Sequence, residues 1–144
     1  MKLHSVLEKD RDTTHLAENA EWSAASIQVK NLRLRTLIGF NPEEKIKRQD
    51  VIINIEIDYR LSPAVLNDDV SEALNYRSIT KSVIEFVENS SFLLLEKLVS
   101  ETLGICSAHP SVERARVTID KPHALRFADS VSLSMSYLNT KSYS

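Results

Sequence analysis

Residues 50–60, DVIINIEIDYR, alternate apolar and polar side chains along almost their whole length. One face carries Ile53, Ile55, Ile57 and Tyr59, and the other carries Asn54, Glu56 and Asp58. A repeat of two residues is typical of an extended strand whose one face is buried while the other meets solvent. The segment therefore predicts a half-buried β-strand, and the rest of the fold has to supply a cover for its apolar face.

Three more segments, residues 26–40, 112–120 and 130–137, show the same alternation. In the first, the apolar positions move from odd to even residue numbers after Val29. A change of face inside one strand predicts a β-bulge near Lys30 and Asn31. The other two apolar faces carry Ala115, Val117 and Ile119, and Val131, Leu133, Met135 and Tyr137.

Two amphipathic helices are predicted between the second and third strands. Asn75 is a suitable N-cap for a helix over residues 76–88, and Ser90 or Ser91 is suitable for a second helix over residues 92–107. The apolar stripe of the second helix includes Phe92, Leu95, Val99, Leu103 and Cys106. The order ββααββ predicts an α+β domain with a mostly antiparallel four-stranded sheet covered on one face by a helix pair. Its outer strands need partners, which favours an oligomer.

The composition narrows the possible functions of the 144-residue chain. We expect one domain over residues 26–138, a flexible extension over residues 1–25 and a tail over residues 139–144. The net charge of −2 gives no indication of nucleic-acid or membrane-surface binding. With Cys106 as the only cysteine and no apolar signal segment, we expect a cytoplasmic protein.

Nucleotide and metal cofactors are not expected either. The chain has two glycines, whereas glycine-rich phosphate-binding loops need several close together. The histidines, His4, His15, His109 and His123, occur at no spacing typical of metal ligands. We therefore predict no metal site and no cofactor.

Two charged residues occupy positions with both an ordinary and a functional interpretation. Glu96 borders the stripe of the second helix, and Lys121 ends the third strand before Pro122. Such residues are usually solvated. Alternatively, the Glu96 carboxylate offers two parallel acceptors to a flat ligand with adjacent N–H groups, and Lys121 transfers protons. The pattern leaves both interpretations open.

Other candidates are weaker by themselves. Tyr76 suits either a core aromatic or a phenol that donates a hydrogen bond in a site, and Glu44 lies in a loop that is exposed by default. Arg33 and Arg35 share one strand face, which normally makes a solvated edge. His123 and Arg126 follow Lys121 closely in sequence.

Four segments together resemble the dihydroneopterin aldolase family over residues 26–138. They are LRLRTLIGFNPEEKIKRQD (32–50), ALNYRSITK (73–81), FLLLEKL (92–98) and IDKPHALRFADSVSLSM (119–135). The resemblance implies the tunnelling fold, in which subunits join their sheets into ring-shaped barrels. It also implies two stacked rings forming a homo-octamer, with pterin sites between neighbouring subunits.

Residue roles follow from the same resemblance. It implies that Glu96 anchors the pterin ring, while Lys121, Tyr76 and Glu44 serve a retro-aldol reaction without a cofactor. Release of the aldehyde would make the protein an aldolase, and its re-addition through the other face would epimerise C2′ of a triphosphate substrate. The arginine-bearing segments favour epimerisation, with Arg126, Arg77, Arg35 and His123 as candidate triphosphate ligands. A non-enzymatic pterin-binding ring is a further alternative.

Overall fold

The computed structural model describes residues 24–140, so the predicted flexible extension and the end of the predicted tail lie largely outside the described residues. Within that range the strands are β1 (Ala24–Ile38), β2 (Gln49–Arg60), β3 (Ser91–Phe92), β4 (Val112–Pro122) and β5 (Ser130–Leu138). The helices are α1 (Pro63–Leu66), a short 3₁₀ helix (Val70–Glu72), α2 (Tyr76–Glu88) and α3 (Leu95–Cys106). The long elements follow the predicted order ββααββ. None of the described helices is long and apolar enough to cross a membrane.

The strands form one sheet in the order β3-β1-β2-β4-β5. The four long strands are antiparallel to their neighbours, as predicted. The predicted count of four misses β3, which pairs in parallel with the last two residues of β1. Two residues are too short to leave a periodic signal in the sequence.

The second predicted helix begins too early. Phe92 lies in β3 instead of the helical stripe, and its ring packs edge-to-face against Phe86 with centroids 5.6 Å apart. Leu94 is the extended N-cap residue of α3 and provides no side-chain cap, so neither Ser90 nor Ser91 caps this helix. The first predicted cap is confirmed, because the Asn75 side chain accepts a hydrogen bond from the Ser78 amide.

The core lies between the sheet and the helix pair. The isoleucines of β2 at positions 53, 55 and 57 are at most 1% exposed, and Val117 and Ile119 of β4 are fully buried. Helix α2 packs against β1, and α3 packs against β4 and β5. The opposite face of the sheet has no helix over it within residues 24–140, and we call it the open face.

The predicted bulge in β1 is confirmed. The register of β1 against β2 shifts between Val29 and Leu32, and Asn31 has a φ of +54°. Its amide donates to Oδ1 of Asn54 at 2.9 Å, which supports this left-handed conformation. Because the bulge changes the face that later residues occupy, Leu34 becomes buried while Arg33 and Arg35 lie on the open face.

One end of the sheet collects most of the candidate residues. At this end, which we call the site end, β1 and β4 finish while β2 and β5 begin. Helix α3 also starts there, because β3 is held next to the end of β1 by a 2.9 Å hydrogen bond from the Gly39 amide to the Phe92 carbonyl.

Candidate active site

Lys121 and Glu44 form an ion pair at the site end. Nζ of Lys121 lies 2.5 Å from Oε2 of Glu44, although the two residues are far apart in sequence. Their side chains are only 14% and 22% exposed, so the pair is largely shielded from water. A shielded amine in contact with a carboxylate is suited to passing a proton to or from a ligand.

The Glu44 carboxylate is held by more than Lys121. Nε2 of Gln49 donates to the Ile38 carbonyl at 2.6 Å and to Oε2 of Glu44 at 3.4 Å. The Asn41 amide lies 3.4 Å from Oε1 of Glu44. Gln49 was not among the site residues predicted from the sequence, because a glutamine at the start of a strand has no distinguishing pattern.

Gly39 makes room for this carboxylate. Its φ is +129°, which disfavours residues with a side chain, and a β-carbon built there would overlap the carboxylate of Glu44. Gly39 is one of two glycines in the sequence, and only the geometry connects it to Glu44.

The pKa of Glu44 is lowered from its ordinary value of 4.5, chiefly by the hydrogen bond from Lys121. Burial is the second-largest effect and raises the pKa, whereas the Asn41 amide, the charge of Lys121 and Gln49 lower it further by smaller amounts. A lowered pKa in the folded state means that the pair stabilises the protein above pH 4.5 and that this stabilisation is lost as pH falls through the lowered value.

We expect the difference in unfolding free energy between the wild type and Glu44→Gln to be constant near neutral pH and to shrink below pH 4.5. Urea denaturation at a series of pH values measures it. A carboxyl ¹³C resonance of Glu44 that titrates above 4.5 would contradict the lowered pKa.

Gly39→Ala should displace the Glu44 carboxylate and destabilise the fold by about 1–3 kcal/mol, since it combines backbone strain with overlap. Gly104→Ala is the matched control. Gly104 lies within α3 with open space around it, so its substitution should stabilise the protein by about 0.5–1 kcal/mol. Thermal unfolding of both variants checks the opposite signs, and a neutral Gly39→Ala would refute the overlap.

A cavity of about 270 Å³ adjoins the ion pair. Its lining includes Gly39, Glu44, Phe92 and Leu93, from the loop after β1 and the segment before α3. Glu96 lies in the first turn of α3, is exposed, and has no hydrogen-bond or ion-pair partner among residues 24–140. A carboxylate is favoured at a helix N-terminus, where the peptide dipoles present positive charge. Glu96 is thus a free acceptor at the same end of the molecule as Lys121.

Tyr76 and Arg77 are not brought to this site within one chain. They begin α2, whose other end is tied to the site end by hydrogen bonds from Thr36 to the Val87 carbonyl and from Arg48 to the Glu88 carbonyl. A helix of 13 residues separates its two ends by about 18 Å. Tyr76 and Arg77 instead line a separate depression on α2.

The remaining charged candidates lie at the site end on exposed positions. Arg126 is in the loop between β4 and β5, with its guanidinium 5.6 Å from the ring centre of Phe127. Arg35 pairs with Asp50, and His123 follows the end of β4 with a φ of +62°. Among residues 24–140, no group of three or more His, Cys, Asp or Glu side chains is arranged to hold a metal ion.

The chain is thus a small α+β protein with one sheet, two long helices and a shielded lysine–carboxylate pair at the site end. The chain belongs to the family described as FolB, dihydroneopterin aldolase, whose model matches residues 27–136.

Individual relatives refine this assignment. The chain is 52% identical over 114 residues to the dihydroneopterin triphosphate 2′-epimerase of Escherichia coli K12, an alignment that covers 79% of this chain and 95% of the relative. It is 50% identical over 111 residues to the protein of the same name from Pseudomonas aeruginosa, covering 77% and 90%. The crystal structure of E. coli dihydroneopterin aldolase in complex with neopterin superimposes with a TM-score of 0.73 at 26% identity, covering 78% of this chain and 98% of that one.

Proposed function

We propose that this protein is an enzyme that epimerises C2′ of 7,8-dihydroneopterin triphosphate, giving dihydromonapterin triphosphate. The observation that carries the choice is the contrast between 52% identity to an epimerase and 26% identity to the aldolase with neopterin. The Lys121–Glu44 pair supplies a chemical group suited to the reaction.

Recognition of the pterin falls to Glu96. A carboxylate accepts the ring's amino and lactam N–H groups side by side, and this bidentate pairing is strong and geometrically selective. Glu96 is free to do so because no side chain among residues 24–140 occupies its oxygens.

The reaction needs only proton transfers. Removal of the 2′-hydroxyl proton breaks the C1′–C2′ bond, C2′ becomes the aldehyde carbon of the leaving fragment, and the electron pair delocalises into the C6=N5 imine of the ring. The substrate is thus its own electron sink. Rotation of the aldehyde and re-addition of C1′ to its other face forms the same bond with C2′ inverted, and the proton returns to the new hydroxyl.

Lys121 is the proposed general acid and base for these transfers, acting through water where needed. Glu44 orients the lysine and the water, since it is already in contact with Nζ and held by Gln49. No Schiff base is required.

Tyr76 joins this site from a neighbouring copy of the chain. Two features support such an assembly. Among residues 24–140, no strand pairs with the outer edge of β1 over residues 24–36, and none pairs with the outer edge of β5. Pairing β5 of one copy with β1 of the next closes a ring and protects both edges. Because α2 packs against β1 and α3 packs against β4 and β5, this pairing also places α2 of one copy beside α3 of the next.

Stacking of two rings into an octamer has separate support at the site end. Of the nine exposed large apolar residues among residues 24–140, six lie in its loops: Phe40, Ile46, Leu93, Leu94, Leu125 and Phe127. Apolar groups concentrated on one end of a molecule usually mark an interface. Light scattering should give a mass of eight chains, and a stable monomer would refute the assembly.

Mixing two inactive variants tests whether Tyr76 acts across subunits. In mixed assemblies of Tyr76→Phe and Lys121→Ala chains, some sites combine an intact lysine from one chain with an intact tyrosine from the other. We expect activity to return on co-refolding. No recovery would place Tyr76 and Lys121 in the same chain's site or outside the mechanism.

The aldolase reaction is the second candidate, because the same lysine and the same bond cleavage serve it. The protein is incubated separately with dihydroneopterin and with its triphosphate, and the products are resolved by chromatography. We expect epimerised triphosphate to form faster than 6-hydroxymethyl-7,8-dihydropterin forms from dihydroneopterin. The opposite order would assign the protein to folate synthesis as an aldolase. A cytoplasmic location remains our proposal for either activity.

A further inference from the structure

A depression of about 340 Å³ lies on the open face at the site end, next to the end of β4. Two arginines of β1, Arg33 and Arg35, meet there with His123, which follows the end of β4. Ile52 and Pro122 contribute apolar lining between them. His123 lies about ninety positions after the two arginines in the sequence, so only the fold brings it to them.

The bulge in β1 creates this arrangement. Without the extra residue at Lys30 and Asn31, the alternation of β1 would place Arg33 and Arg35 on the helix-covered face. The register then aligns Arg33 with Ile52 and Ile52 with Asp120, so the arginine lies two strands away from the end of β4. The left-handed conformation of His123 turns the chain at that end.

The charges in the depression are available to a ligand. The side chain of Arg33 is exposed and has no hydrogen-bond or ion-pair partner among residues 24–140. Arg35 contacts Asp50 at 3.3 Å and the Arg48 carbonyl at 2.9 Å, but the side chains of Arg35 and Asp50 are 64% and 68% exposed. Exposed ion pairs contribute little to stability, so a multiply charged anion can compete with Asp50 for the guanidinium of Arg35.

We propose that this depression binds the triphosphate tail of the substrate, with Arg33 and Arg35 contacting phosphate oxygens and His123 donating from its ring. This rests on the proposed function. Guanidinium groups pair with phosphate through two parallel hydrogen bonds, and two of them on one strand face suit a chain of phosphates better than a single one. Arg33 thereby becomes a specificity-determining residue, whereas Arg77 lies at the far end of α2 and Arg126 lines no part of the depression.

Kinetics with two substrates tests Arg33→Gln. We expect a roughly ten- to hundredfold higher KM for dihydroneopterin triphosphate and little change in the conversion of unphosphorylated dihydroneopterin. The matched control is Arg116→Gln, which removes another open-face arginine, one that hydrogen-bonds Ser136. The control should leave the kinetics with both substrates unchanged. Equal losses on both substrates, or no effect of Arg33→Gln, would overturn the proposal.

Calorimetric titration with inorganic tripolyphosphate separates this proposal from the proposed function. If the wild type turns over neither substrate, the proposed function fails, yet the anion site is still tested. Binding that is weakened by Arg33→Gln and by added salt but kept in Arg116→Gln supports the site. Absent binding in the wild type, or equal binding in both variants, overturns it.

Discussion

Replacing Lys121 by alanine should lower turnover by about a hundred- to ten-thousandfold, the range that positioned proton transfer typically contributes. Among residues 24–140, Nζ of Lys121 is the one acid–base group in contact with the Glu44 carboxylate, which lines the cavity. The pterin should still bind with nearly unchanged affinity, because Glu96 on α3 is the proposed anchor. Steady-state turnover and equilibrium binding of neopterin, measured on the same preparation, separate the two effects.

Lys47→Ala is the matched control for this experiment. Lys47 is an exposed lysine in the same loop as Glu44, without an ion-pair partner among residues 24–140. It should keep full activity. If Lys121→Ala retains wild-type turnover, the protein either uses another base or is a non-enzymatic pterin-binding ring. If it loses binding along with turnover, the lysine is part of the pterin pocket instead.

The strand and helix order was predictable because it depends on local periodicity. The alternation in β2 and the amphipathic pattern of α2 each record burial on one face, and burial is what the sheet and helix pair then produce. Even the bulge left a trace, since it reverses the phase of the alternation within β1. Features that lack a period were missed: β3 is too short, and the apolar run after Ser91 resembles a helix although its first residue pairs with β1.

The site was predictable only in part. Lys121 and Glu44 lie on a strand and in a loop far apart in sequence, so no local pattern encodes their pairing. The family resemblance assigned both to one site, and the fold shows the contact. Gln49 and Gly39 act on the carboxylate through a hydrogen bond and through the absence of a side chain, and neither effect has a sequence signature. For Tyr76, the family resemblance implied a place in the site that a single chain does not provide, because the length of α2 keeps Tyr76 away from Lys121.

The anchor residue gives the other large expected effect. Glu96→Ala should weaken neopterin binding by about a hundredfold or more, because two hydrogen bonds to a charged group are lost together. Glu96→Gln should be almost as damaging, since an amide replaces one acceptor oxygen by a donor that faces a ring N–H. Isothermal titration calorimetry with neopterin on the assembled protein measures both variants.

Glu101→Ala is the matched control for the anchor, on the same helix. Glu101 forms a surface ion pair with Lys97 at 2.7 Å, a type of contact that contributes little to stability, so its removal should leave neopterin affinity unchanged. Because Glu96 has no partner among residues 24–140, its loss should not unfold α3, and a melting temperature close to that of the wild type is expected. Unchanged affinity in a folded Glu96→Ala protein would exclude this carboxylate as the anchor. Loss of affinity in the alanine variant but not in the glutamine variant would show that only one oxygen is used, which would reduce the ring contact from two hydrogen bonds to one.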